Sequence, residues 1–575
     1  MNQVMDEIKK KIGESIVDIL HHEVEEAEIV SKIEVPKDRA KGDFAYPCFH
    51  LAKVLKRSPV QIATELAEKV VLDSTFSKVE ALNGFLNFYL NNMNAVQQIL
   101  THILTEKENF GSTQEGKGKT IVIDYSSPNI AKPFHLGHFR NTVLGSAIYK
   151  LYENLGYQVV GINHIGDWGR QFGLLIEGYQ RFKDEYDIEK DALHALSDIY
   201  TRINQLAKED DSIMDLAREN FKQLEQGNEV YQKLWEYFRE ISLKEYDRIY
   251  EILGSKFDSY NGEAFYNDKM EEVIETLEKK GVLKDSQGAK VVEVGEDMPP
   301  CIVLKSNGST IYATRDLAAI LYRVRTYDFT KAIYITGTEQ ILHFKQVFEV
   351  AKYLVDKKYT DGLVHIAYGM IRLKTGKMST REGNVIYIDE LLQEAIQKAL
   401  HIIEEKNALL ENVQEVAKQV GVGALTFNYL KSNKLKDIIF DLDDTLRFDG
   451  ETGPYIQYTY VRTKSILEKA GFDEQNFDID KFAFDRLQQE QEIVLVKALD
   501  RFSSMLKKAA EEYEPSIVAR YLIEIATLFS KFYAECPVIV EDTVLKEARC
   551  ALVYATSLVI KKGLHILGIE CPDKM

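Results

Sequence analysis

The stretch Thr120–His138, TIVIDYSSPNIAKPFHLGH, decides the fold. Its first five residues form a short apolar run suited to a buried parallel strand. A helix is predicted from about Leu136 to Leu155, and a second strand from Gln158 to Asn163. Strand, helix and strand at this spacing make a βαβ unit, which predicts a doubly wound, Rossmann-like parallel sheet. The loop between them lies at the carboxyl end of the first strand, where such sheets bind ligands. A helix N-terminus there offers free N–H groups and a partial positive charge, a setting that suits a triphosphate. Gly137 removes a side chain where an adenine ring approaches the backbone. His135 and His138 lie one helical turn apart, and both can donate hydrogen bonds to phosphate oxygens. Such donors help most where charge grows on the α-phosphate during attack. Two histidines at this spacing alone would read as a surface pair or half a metal site. The Pro128-Asn129 turn, the strand–loop–helix setting and the intervening glycine favour the nucleotide reading.

Outward from this unit, Gly111 to Lys119 is polar and glycine-rich and reads as a linker. Residues 1–112 form a separate α+β unit. Within it, Ser58-Pro59 opens a helix through Val71, and Val79 to Leu90 alternates around a turn at Asn83-Gly84. Residues 113–390 would be the sheet-based domain, with a long, charged, mostly helical insertion over about 171–298. The βα rhythm resumes with Ile311–Arg325, Ala332–Gly337 and His343–Leu354. Residues 391–454 read as a linking helical region and 455–575 as an all-α bundle, with a break around Phe440–Tyr455.

A chain of 575 residues exceeds what one hydrophobic core sustains, so several domains are expected. Hydrophobic residues at 45% and charged residues at 28% suit a globular protein. No membrane-length apolar run or signal peptide is visible, which makes the cytoplasm the expected location. The five cysteines show no CxxC pair, so neither a disulfide framework nor a structural metal is expected. A net charge of −18 argues against a nucleic-acid coat protein but allows a local basic patch to hold RNA phosphates.

The second signal is Gly376-Lys377-Met378-Ser379-Thr380-Arg381-Glu382-Gly383-Asn384. A glycine-flanked loop carrying Lys377 and Arg381 can close over a polyphosphate and offset charge on a pyrophosphate leaving group. Alone, it would pass for a solvated basic turn. Paired in this order with His135–His138, it resembles the HIGH and KMSKS signatures of class I aminoacyl-tRNA synthetases, and specifically their arginyl members. Asn163-His164-Ile165-Gly166-Asp167-Trp168-Gly169 is similar to the HIGDWG segment of that family. Tyr312-Ala313-Thr314-Arg315-Asp316 resembles its Y-x-T-R-D segment, and Glu451–Tyr458 the lead into its helical anticodon-binding domain. Where the family signature ends in Lys-Ser, this chain has Thr380-Arg381, a common arginyl form.

The resemblance implies an arginine–tRNA ligase that uses ATP with Mg2+ as a substrate complex, L-arginine and tRNA(Arg), without a prosthetic group, as a monomer. His135, His138 and Lys377 would be catalytic. ATP would be held by His135, Gly137, His138, Gly337, Lys377, Met378, Ser379 and Arg381. Arginine would be held by Asp124, Ser127, Asn129, His135, Tyr312, Asp316 and Gln340. A planar guanidinium is read through paired hydrogen bonds from a carboxylate, which supports Asp316 and Asp124, and Tyr312 would stack on it. The N-terminal unit would touch the tRNA elbow. The helical end would read the anticodon, with Lys431, Lys434, Lys436, Tyr455 and Tyr458 as tRNA contacts. One rival is Ile438-Ile439-Phe440-Asp441-Leu442-Asp443-Asp444-Thr445, which reads like the first motif of haloacid-dehalogenase-type phosphatases. That fold needs further βα units downstream, and the sequence there is helical instead. A second rival is a non-catalytic synthetase-like regulator, against which stands the presence of His135, His138 and Lys377.

Overall fold

Alternating apolar residues build the first sheet from β1 (Phe44–Pro47), β2 (Phe76–Leu82) and β3 (Phe85–Leu90) in order β1-β3-β2, all antiparallel. The structure is a computed structural model describing residues 4–21, 23–36, 38, 41–71, 73–295, 297–306, 311–373, 376–377, 387–407 and 410–575. Asn83 and Gly84 join β2 to β3 with φ of 52° and 83°, the left-handed pair that a tight hairpin requires. The helix Pro59–Lys69 starts at the expected proline. The glycine-rich stretch after this unit is strapped down rather than free: Thr113 N–H donates to Asn154 O and Gly116 N–H to Leu155 O.

Then come β4 (Thr120–Asp124), the helix Leu136–Asn154 and β5 (Gln158–Ile162), within a residue or so of the sequence expectation. The insertion contains long amphipathic helices, among them Glu229–Ile252. It also brings an antiparallel meander: β6 (Leu283–Ser286) and β7 (Ala289–Val292), joined by β8 (Cys301–Leu304) just past its expected end. The sequence hid these strands because they are short and β6 is mostly exposed. After the helix Tyr312–Tyr327 follow β9 (Lys331–Gly337), the helix Ile341–Ala351 and β10 (Leu363–Tyr368). The main sheet is wholly parallel in order β10-β9-β4-β5. The chain turns left from β4 in one half and right in the other, so a crevice opens at the carboxyl ends of β4 and β9.

A smaller sheet joins β11 (Ile371–Leu373) to β12 (Gly376–Lys377), antiparallel, and to β13 (Ile438–Phe440), parallel. Thus β13 does not begin a second doubly wound sheet, and Asp441 caps a one-turn helix by accepting from Asp444 N–H. The chain ends in helices Gly453–Ala470, Glu490–Asp500, Phe502–Glu511, Ser516–Glu535 and Thr543–Ile566 around a dense apolar core. At its centre Glu492 is fully buried (0% exposed) and pairs with Arg549 Nε at 2.7 Å. Arg549 also donates to Pro537 O at 2.7 Å.

The N-terminal unit docks on this bundle, and its polar contacts include two with the helix Glu490–Asp500. Lys497 pairs with Asp43, and Asp500 Oδ2 accepts from Met5 N–H at 3.0 Å, at the start of the first helix. Burial pushes the Asp500 carboxyl up to about 7. Breaking the Glu492–Arg549 pair leaves a charge stranded in the core. Arg549→Met is expected to destabilise the bundle by about 3–5 kcal/mol, and Glu492→Gln with Arg549→Met together to recover part of it. Thermal unfolding of the two variants beside the wild type checks this, and an unchanged midpoint for Arg549→Met would refute it.

Candidate active site

At the end of β4, Ser126 and Ser127 both adopt left-handed backbone, with φ of 68° and 48°. Such conformations are costly for residues with a Cβ and persist only where neighbours over-determine them. Here a polar ring does so. Asn141 Oδ1 accepts from Ser126 N–H at 2.8 Å, and Asn163 Oδ1 from Ser127 N–H at 3.2 Å. Asn163 is fully buried (0% exposed) and its amide donates to the Tyr250 hydroxyl, which also meets Ser126 Oγ at 2.8 Å. Thr142 Oγ1 donates to Ser126 Oγ at 2.8 Å. Tyr250 comes from the insertion, as does Tyr246, whose hydroxyl lies 2.7 Å from the carbonyls of Asn129 and Lys132. The insertion therefore forms part of the site.

The turn delivers His135 as the N-cap of the helix Leu136–Asn154. Its Nδ1 accepts from the N–H groups of Gly137 (3.1 Å) and His138 (3.4 Å), while His138 Nδ1 accepts from His135 N–H at 3.4 Å. The imidazoles stack with centroids 3.6 Å apart. A Cβ on Gly137 would stand 3.0 Å from the His135 ring, so glycine keeps that face clear. With both Nδ1 atoms accepting, the proton of each neutral ring sits on Nε2, which becomes a donor. Burial, aided by Lys132, holds His135 down to about 4, and burial with the adjacent His135 holds His138 well below the usual range.

The segment that follows the second loop meets the first loop through the main chain. Ile388 N–H donates to Phe134 O at 2.9 Å, and Tyr387 forms a β-bridge with His135. At the other end Lys377 pairs in register with Arg372 on β11. Met378, Ser379 and Arg381 lie outside the described residues, as does the side chain of Lys377. Arg140, one turn into the helix, ties the region together. It donates to Gly369 O (2.5 Å), Met370 O (3.3 Å), Lys434 O (3.0 Å) and Lys436 O (2.8 Å).

The expected arginine-binding residues divide. Asp124 Oδ1 accepts from Ser127 Oγ at 2.9 Å, and Oδ2 pairs at 2.7 Å with Arg323, which is buried (1% exposed). Its charge is thus paired with a buried guanidinium of the chain itself. Asp316 has no arginine or lysine partner among the described residues. Its Oδ2 lies 2.6 Å from His343 Nε2 and it stays partly open. Tyr312, one turn before it on the same helix face, is 68% exposed. Asn129 is exposed beside Gly166, where a Cβ would collide with Asn129 Oδ1. Gln340 is exposed at the start of the helix after β9. Gly337 ends β9 buried, its would-be Cβ position 2.3 Å from the Glu339 carboxylate. Nearby, Glu263 pairs with Arg315 at 3.3 Å, and burial pushes its carboxyl up to about 7. Asp167 accepts from Ala264 N–H and pairs with Arg239.

Two of the expected tRNA contacts also have internal partners. Lys431 donates to Glu451 O at 3.0 Å, and Lys434 donates to Glu512 O and pairs with Glu514, so both ammonium groups are held internally. Tyr455 points its hydroxyl at Ser530 Oγ. Lys436 and Tyr458 are exposed, with Arg462 over the Tyr458 ring at 4.9 Å. Sequence reading missed Asn141, Arg140, Tyr250 and Arg323. Only Arg323 had a visible signal, two turns beyond Asp316 on one helix face.

Three family models tile the chain: an arginyl-tRNA synthetase N-terminal domain over residues 6–90, a class I (R) tRNA synthetase catalytic domain over 99–442, and a DALR anticodon-binding domain over 456–575. Paired loops on a doubly wound sheet with these matches define a class I tRNA synthetase. An arginine–tRNA ligase of Clostridium botulinum is 46% identical over 553 residues, covering 96% of this chain and 97% of that protein. The arginyl-tRNA synthetases of Thermus thermophilus (TM-score 0.81, 24% identity, 98% of this chain and 99% of that one) and Plasmodium falciparum (TM-score 0.82, 24% identity, all of both chains) share the fold. The chain belongs to the arginyl-tRNA synthetase family. No described helix is long and apolar enough to cross a membrane.

The neutral imidazoles have a measurable consequence. The folded pKa of His135, about 4, lies below its usual 6.5, so between these values the folded chain binds fewer protons than the unfolded one. This group's contribution to stability is complete above 6.5 and is lost as pH falls toward 4. Histidine-selective NMR should find both rings neutral and Nε2-protonated at pH 6. An imidazolium at either position would overturn this assignment.

Proposed function

We propose that the chain attaches L-arginine to tRNA(Arg) in two ATP-dependent steps at the crevice above β4 and β9. The arginine carboxylate attacks the α-phosphate of ATP, forming arginyl-adenylate and releasing pyrophosphate. The terminal ribose hydroxyl of the tRNA then attacks the activated carbonyl and releases AMP. The observation that carries this reading is the main-chain tie between the first signature loop and the segment that follows the second, Ile388 N–H to Phe134 O with the His135–Tyr387 bridge. It supports one binding surface built from both, so that catalysis rests on positioning and charge stabilisation.

In this reading His135 and His138 donate from Nε2 to the phosphates, and Gly137 and Gly337 line the nucleotide. Lys377, Met378, Ser379 and Arg381 close on the departing pyrophosphate. Mg2+ enters with ATP as part of the substrate. Asp316 takes the guanidinium, with Tyr312 on its plane and Gln340 beside it. Ser127 and Asn129 face the α-amino end, and Asp124 acts through Arg323 and Ser127 as a positioning residue. The N-terminal unit, about residues 1–112, contacts the tRNA elbow, and the helices from 455 read the anticodon, with Lys436 and Tyr458 as the remaining candidate contacts. The protein works in the cytoplasm as a monomer.

The deciding measurement is charging of bulk tRNA with labelled arginine beside labelled lysine, glutamine and cysteine. Arginine alone should be charged, and His138→Ala should lower kcat by about 10²–10³, the loss typical of a transition-state donor. Absence of charging by a folded, tRNA-binding protein would make it a regulator instead. Asp316→Asn should raise KM for arginine by about 10–100-fold while leaving KM for ATP unchanged. Equal effects on both would remove Asp316 from the amino-acid pocket.

A further inference from the structure

On the far side of the catalytic helix from its histidines lies a cavity of about 470 Å³ where three distant segments meet. The strap after the N-terminal unit, the last turns of the helix Leu136–Asn154 and the end of the helix Thr543–Ile566 all line it. Lys150, Lys561, Lys562 and His565 converge on it, with Glu108 and Glu153 as the acidic members of the wall. Lys562 is held in place by Glu108 O (2.8 Å) and Ser112 Oγ (2.7 Å), leaving one of its three ammonium hydrogens free. Lys150 has no hydrogen bond or ion pair among the described residues, although two carboxylates are close.

We propose that this cavity is a binding site for a phosphate group, with Lys150 and Lys562 as its principal contacts. Both ammonium groups line one cavity with donors to spare and no ion pair among the described residues, and a ligand with several negative oxygens would use those free donors. The local electrostatics agree with the geometry. Burial and the neighbouring Lys256 hold Lys150 down to about 8 despite Glu153 and Glu570. Burial, Lys150 and Lys562 keep the His565 ring below its usual range. A bound phosphate would tie the catalytic helix to the C-terminal bundle and the strap, at the end of the helix opposite His135. The phosphate belongs either to a small free anion or to the tRNA backbone.

The test is calorimetric titration of the full chain with inorganic pyrophosphate, after the active site has been filled with L-arginine and one equivalent of a non-hydrolysable ATP analogue, which occupies the pyrophosphate position there. One equivalent should bind to the wild-type protein and to His138→Ala alike, and at least tenfold more weakly to Lys150→Met and to Lys562→Met. Should Lys150→Met fold poorly, Lys561→Met gives the same reading from the exposed side of the cavity. Displacement of pyrophosphate by uncharged tRNA would assign the site to a backbone phosphate, and lack of displacement to a free anion. No binding at millimolar pyrophosphate, or binding indifferent to all three lysine variants, would overturn the proposal.

Discussion

The site depends on two consecutive serines held in a backbone conformation that L-residues rarely adopt. Left-handed backbone at Ser126 and Ser127 costs on the order of 1–3 kcal/mol each, and the one local aid is the Ser127 hydroxyl donating to Asp124. The compensation comes from afar: Asn141 one helix turn past the histidines, Asn163 at the end of β5, and Tyr250 from the insertion. Without the turn, the chain leaving β4 would run on past the sheet edge instead of folding back to start a helix over it. The N-cap geometry of His135, and the tautomers that follow from it, are consequences of that turn.

This arrangement explains why the insertion cannot be a dispensable ornament. Tyr246 and Tyr250 lie on its longest helix, and Trp235 on the same helix donates to Asp167 O at 2.6 Å. Asp167 in turn accepts from Ala264 N–H. The segment Asn163–Gly169 thus touches the insertion through its acid and the strained turn through its asparagine. Its glycine, Gly166, leaves the space that the Asn129 side chain fills.

How much of this was legible follows from the range of the forces involved. The βαβ unit was legible because an apolar run and a helical period are local signals, and the Asn83-Gly84 hairpin because two left-handed residues favour those types. The meander β6–β8 was not, since four-residue strands carry little periodicity and β6 is mostly exposed. The pairing of Asp124 with Arg323 spans 199 residues of chain and has no local trace beyond helical spacing from Asp316. The internal partners of Lys431 and Lys434 were equally hidden, because the carbonyls of Glu451 and Glu512 and the carboxylate of Glu514 are brought to them by the fold and not by the sequence cluster. The Asp441–Asp444 motif failed for a similar reason: its first acid caps one helical turn, and β13 finds its partner in β11.

The protonation of the two histidines bears on how one crevice accepts substrates of opposite charge. Arginine brings a permanent cation and ATP several anions, and a cationic pair at the helix start would attract one while repelling the other. Neutral rings donating from Nε2 avoid that conflict, because they offer directed hydrogen bonds that strengthen as charge grows on the α-phosphate. Asp316 then remains a net negative centre, since the charge of Asp124 is cancelled by Arg323. In the proposed reaction the full positive charge needed by departing pyrophosphate comes instead from the loop that carries Lys377. The segment that follows that loop, Tyr387 and Ile388, is tied to the very turn that presents the histidines. In the proposed reaction the cations for the leaving group and the neutral donors for the attacked phosphorus are thus separate in charge while their flanking backbone is joined.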